Sequence, residues 1–169
     1  MKSIYDLQFT IYNSRRKKKE ITVTRRSSVP KTTQTKIQDS KLGWEKATDV
    51  KSDIVKILKV LDMPYVKPER IFCYRTQASK SRSYARIWSF PKIFQDALEL
   101  EPAYVIEVLT KHYDKLNDDE KIKVLIHELL HIPRNFSGAL VPHTHRKKGS
   151  FHHKLDELIE RYLENYKHL

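Results

Sequence analysis

Between Asn117 and Pro133 the chain reads as a helix from both ends. Asn117 is a strong N-cap, and Glu120, three residues on, completes a capping box. Asp118 and Asp119 place negative charge at the positive end of the helix dipole. Ile122, Leu125, Ile126, Leu129 and Leu130 then recur at the spacing of one buried helical face. Pro133 ends the run, because it has no N–H to donate and clashes with the preceding turn. Any fold this chain adopts must cover that face.

The segments available to cover it are of two kinds. Val50, Ile54, Ile57, Leu58 and Leu61 give an earlier helical stripe, with Thr48 as its cap and Pro64 as its stop. Ser150 caps a last helix striped by Leu155, Leu158, Ile159, Tyr162, Leu163 and Tyr166. Between the first helix and the Asn117 helix lie three runs rich in β-branched and aromatic residues: 70–75, 84–90 and 103–109. The polar stretch 76–83 reads as a turn, and residues 93–98 as a short helical turn. Strands gathered in the middle, without regular alternation with helices, predict an α+β domain over residues 44–169. Its sheet would be small and mostly antiparallel, packed on the Asn117 helix and the C-terminal helix.

Composition narrows the chemistry. The 169 residues hold one cysteine, Cys73, and three glycines. Cysteine-based zinc fingers, CxxC redox motifs and glycine-rich phosphate loops are therefore excluded. A lone thiol fits a reducing, cytoplasmic location, with Cys73 as a small buried hydrophobe. No apolar run is long enough to span a membrane, and the N-terminus lacks the apolar core of a signal peptide. Of the net charge of +12, residues 1–43 carry +8. These residues read as a basic arm, flexible or hairpin, with Arg15, Arg16, Lys17, Lys18 and Lys19 as its densest cluster. Such a cluster suits nucleic-acid phosphates, and equally a solvated tail. Arg146-Lys147-Lys148 forms a second basic patch.

The reactive groups lie inside the Asn117 helix, in His127-Glu128-Leu129-Leu130-His131. Residues four apart share a helical face, so His127 and His131 can hold one zinc ion. Glu128 stands beside that ion, where a carboxylate can activate a zinc-bound water whose pKa falls from 15.7 to about 7. An HExxH pattern has a chance expectation on the order of 0.02 in this composition. A catalytic zinc needs a third protein ligand. His143 is favoured, followed by His145 and His153; Asp156, Glu157 and Glu160 are carboxylate alternatives. His152 and His168 read as surface histidines. With methionine only at positions 1 and 63, the downstream Met turn of the metzincins is absent.

The run from Val124 to His143, VLIHELLHIPRNFSGALVPH, resembles the phage and archaeal metallopeptidases, a small zincin group related in style to SprT-like proteases. The similarity extends more weakly through Arg82–Phe90 and Tyr104–Val108, and leaves the basic arm unmatched. The resemblance implies a minimal zincin-like domain in which His127, His131 and His143 bind one Zn²⁺ and Glu128 is the general base. It also implies an edge strand over residues 84–88 along which a peptide substrate lies; Tyr84 and Trp88 read alternatively as core residues. Oxyanion stabilisers among His145, Arg86 and Tyr162, and Glu107 as support for a ligand histidine, complete the expectations. The activity expected is zinc-dependent hydrolysis of protein or peptide substrates. The competing reading is a zincin-like nucleic-acid-binding protein with a structural zinc and the basic arm.

Overall fold

The computed structural model describes residues 43–143 and 150–166. The basic cluster Arg15–Lys19, the patch Arg146-Lys147-Lys148, His145 and His168 lie outside the described residues. In chain order the elements are β1 (Gly43–Lys46), α1 (Thr48–Val60), a 3₁₀ turn (Pro68–Arg70), β2 (Ile71–Gln77), β3 (Ala85–Ser89), α2 (Lys92–Ala97), β4 (Tyr104–Leu109), α3 (Thr110–Tyr113), α4 (Asp118–Leu130) and α5 (Phe151–Tyr166). The class is α+β, as expected.

The four strands form one sheet in the order β1-β2-β4-β3. β1 runs antiparallel to β2 and β3 antiparallel to β4, while the central pair β2–β4 is parallel. A parallel pair needs a crossover, which the β3–α2 segment supplies. The faces differ. Ile71, Cys73, Ala85, Tyr104, Ile106 and Val108 alternate onto one face and are buried. α1 packs against β2, and α4 packs against β3, α1 and α5.

α4 carries the predicted capping box. The Glu120 N–H donates to Asn117 Oδ1 (2.9 Å), and the Asn117 N–H donates to Glu120 Oε2 (3.1 Å). Its C-terminal half is buried without interruption from Val124 to Leu129. This helix is therefore wrapped rather than half-exposed, and its polar residues His127 and Glu128 go inside with the leucines.

Other expectations are corrected. Ala47, not Thr48, holds the N-cap position of α1, with no side-chain cap bond. β1 runs directly into the helix, and the Ala47 N–H is already held by the Cys73 carbonyl (3.0 Å). β1 itself had no legible signal in four residues. β2 continues through Thr76 and Gln77, read above as turn, because β1 pairs Gly43 with Gln77. On α5 the buried residues are Phe151, Leu155 and Tyr162. Leu158, Ile159 and Leu163 are half-buried and Tyr166 is exposed. α5 thus rests on the outside of the helical layer along a narrower line than its apolar stripe.

Candidate metal centre

His127 and His131 stand one turn apart at the buried end of α4 and at its C-cap. Beyond them the chain doubles back. The Val141 N–H donates to the His131 carbonyl (2.8 Å), and His131 Nδ1 donates to the Val141 carbonyl (2.7 Å). A carbonyl only accepts, so the proton sits on Nδ1 and His131 Nε2 is left with a free lone pair. Two residues further on, His143 Nε2 lies 3.1 Å from His127 Nε2. One ring nitrogen from each of the three histidines lies within 4.8 Å of the others. Two nitrogens bound at about 2.0–2.1 Å in a tetrahedron are roughly 3.3 Å apart, close to the His127–His143 spacing. The donor set, three imidazoles, fits a zinc-type ion.

Distant residues hold the loop that delivers His143. Phe136 has φ +46° and Gly138 has φ +81°. The Gly138 N–H donates to Tyr104 Oη (2.9 Å), and Tyr104 Oη donates to the Ala139 carbonyl (3.0 Å). Gln95 Nε2 donates to the carbonyls of Phe90 (2.6 Å) and Ser137 (3.0 Å). A Cβ on Gly138 would come 2.0 Å from Gln95 Nε2 and 2.5 Å from the Phe90 carbonyl oxygen. Only glycine fits there, on both backbone and packing grounds. Phe151, buried at the start of α5, packs on all three rings, with centroids 5.1 Å from His127, 4.6 Å from His131 and 4.5 Å from His143.

Burial controls the charges. It pushes His127 down to about 3, assisted by His131, His143 and His152, and it also lowers His131 against the opposing bond to Val141. Both rings stay neutral at physiological pH, the state a metal requires. Burial raises the Glu128 carboxyl to about 8, opposed by a hydrogen bond from the Ile87 backbone N–H. That N–H belongs to the sheet's edge. The Leu109 N–H pairs with the Tyr84 carbonyl (2.9 Å), so alternation turns Ile87 away from β4 and towards α4.

The remaining expected residues fall elsewhere. His153 is exposed and pairs with Glu157 (3.3 Å), and neither belongs to the histidine group. Glu107 does not support a ligand. Its carboxylate accepts from Thr76 Oγ1 (2.5 Å) and Trp88 Nε1 (2.7 Å), with Arg86 at 3.9 Å, on the sheet face opposite α4. The same alternation takes Arg86 away from the histidines. Tyr162 is buried, and burial raises its hydroxyl, with the charges of Tyr166, Asp53 and Asp119 adding to the shift. Asp119 lies at the far end of α4, roughly 18 Å of helix from His131. Trp88 is 51 % exposed, so it is not a core residue.

Sequence reasoning missed Phe151, Tyr104, Gln95 and the Ile87 N–H. Only Gly138, in a glycine-poor chain, hinted at a constrained turn. Beside Val141 and Phe151 a cavity of about 400 Å³ opens between α5 and residues 61–65, with Leu130, Ile132 and Leu158 in its wall and Arg134 and Lys154 also lining it.

Neither a curated protein nor a solved structure matches this chain. Residues 42–162, which include the whole histidine cluster and every described strand, match the family model described as "Putative phage metallopeptidase", and the chain therefore belongs to the phage metallopeptidase family.

Proposed function

We propose that the protein is a zinc-dependent peptidase in which His127, His131 and His143 hold the ion and Glu128 is the general base. The observation that carries this reading is the convergence of three imidazoles, two from α4 and one from the loop after it, beside the buried carboxyl group of Glu128. A bound zinc ion would supply Lewis acidity to a peptide carbonyl and acidify a water molecule. The chain's own groups do the rest. The Val141 carbonyl fixes the His131 tautomer, and Phe151 packs against the three rings and limits their movement. Glu128 takes the proton of the attacking water and returns it to the departing amine. Burial raises the Glu128 carboxyl in the metal-free chain, and the positive charge of a bound ion would draw it back towards the ionised form that a base requires. β3 is an edge strand, and the outward backbone groups of Ala85 and Ser89 offer an extended peptide a place to pair. The cavity near Val141 is of a size to accept a side chain of that peptide, with Arg134, Lys154, Arg161, Asp62 and Glu157 offering it polar partners.

Glu128→Gln tests the assignment. The variant is expected to keep about one zinc per chain by elemental analysis, while its hydrolysis of an unfolded protein substrate falls by roughly 10²–10⁴-fold. Wild-type-level hydrolysis by the variant would refute the role of Glu128. A zinc-loaded wild type that cuts no peptide would leave the metal with a structural role, as the nucleic-acid-binding alternative requires.

A further inference from the structure

One face of the sheet is buried through Ile71, Cys73, Ala85, Tyr104, Ile106 and Val108; on the other, Thr76, Glu107 and Leu109 are buried while the large aromatics stay exposed. Strand register divides that second face into rows. Phe72, Val105 and Trp88 are aligned across β2, β4 and β3. Lys46, Tyr74, Glu107 and Arg86 form the next row. Trp44, paired with Thr76, lies in the row after that. The three large aromatics are exposed, Trp44 by 64 %, Phe72 by 45 % and Trp88 by 51 %. Exposed aromatics grouped on one face of a small sheet mark an interaction surface, because water gains nothing by touching them.

The charges say what the surface fits. Lys46 is exposed and Arg86 half-buried. The one carboxylate in these rows, Glu107, is buried, bound to Thr76 and Trp88 and 3.9 Å from Arg86, so that Lys46 and the outer part of the Arg86 guanidinium carry the positive charge of the face. The face therefore presents aromatic rings and cations together. Phe72 and Trp88 are two strands apart, roughly 9–10 Å, and Trp44 lies one strand over and four residues along from Phe72. Each ring can thus take a separate planar group, while the cationic row lies between. A polyanion with planar aromatic groups at intervals matches this pattern. Its bases must be unpaired, since a duplex hides their faces.

We propose that the open sheet face is a platform for single-stranded nucleic acid, with bases stacking on Trp44, Phe72 and Trp88 and phosphates held by Lys46 and Arg86. This site is separate from the histidine cluster and does not depend on the peptidase reading.

Both tryptophans of the chain lie on this face, so intrinsic fluorescence reports on it directly. The full-length protein would be titrated with a fluorescein-labelled oligothymidylate at low salt, following tryptophan quenching and oligonucleotide anisotropy. Saturable quenching is expected, with the matching duplex binding more weakly. Trp44→Ala and Phe72→Ala should each weaken binding by roughly 5- to 100-fold by anisotropy. Their thermal melting should be unchanged, because both side chains are exposed. Binding that leaves the fluorescence untouched and is unaltered in both variants would overturn the proposal in favour of a purely electrostatic contact elsewhere. So would a fluorescence response confined to phosphatidylglycerol vesicles, or none to either ligand.

Discussion

At the scale of single residues, His143 separates a three-histidine cluster from a pair of histidines on one helix. His127 and His131 are brought together by helix geometry alone, and His143 approaches them from an exposed loop position. We expect His143→Ala to lose most of its zinc on dialysis, while His153→Ala, whose ring pairs with Glu157, keeps about one ion per chain. Elemental analysis of both variants decides it, and zinc retained by His143→Ala would exclude that ring as a ligand. Cys73 makes a prediction of another kind. Burial raises its thiol to about 11, with Lys51 opposing weakly. The reactive thiolate is the deprotonated form, so the native protein should resist iodoacetamide at pH 7–8 and react only as the pH rises towards 11 or after unfolding. Mass spectrometry of the alkylated protein follows this directly. Equal labelling rates for native and denatured protein at pH 8 would contradict the burial.

At the scale of elements, the segment from Pro133 to His143 behaves as a strap. It is pinned by Tyr104 from β4, by Gln95 from α2 and by the two-way pairing of His131 with Val141. The strap depends on Gly138, where an added methyl group would collide with the Phe90 carbonyl as well as with Gln95. Gly138→Ala should therefore cost roughly 1–3 kcal/mol, from the positive φ and the collision together. It should also weaken zinc retention, because the displaced strap carries His143. Urea unfolding and metal content measured on one preparation test both effects. Wild-type values for both would mean that the turn relaxes freely and that the strap does not set the ligand position. β3 has a second role at this scale. Its outward edge holds Glu128 through Ile87, so the strand proposed to receive substrate also positions the proposed base.

For the whole molecule, residues 42–169 form one compact contact unit, and it carries every part of the histidine cluster. Deleting residues 1–41 should therefore leave zinc content and hydrolysis within about twofold of the full chain, because the unit that remains holds all three histidines and Glu128. Loss of the metal or of the folded state in that variant would make the N-terminal residues part of the domain. The deletion also removes most of the excess positive charge, so any salt-dependent binding to a polyanion should become less steep. No described helix is long and apolar enough to cross a membrane.

What the sequence determined by itself was local. The capping box at Asn117, the stop at Pro133 and the i, i+4 histidines are interactions between near neighbours, and helix periodicity reports them faithfully. The α+β class followed from the same local patterns, and so did most strand positions. What only the tertiary structure decided was non-local. Tyr104 reaches Gly138 and Ala139 across more than thirty residues, Phe151 closes over three rings from another helix, and Ile87 finds Glu128 across the sheet edge. Glu107 could be read as an active-site buttress until strand alternation put it on the opposite face. The exposure of Trp44, Phe72 and Trp88 was equally hidden, because an aromatic in a strand looks the same in sequence whether its face is covered or open. Such contacts depend on which elements pack together, and no window of neighbouring residues encodes that packing.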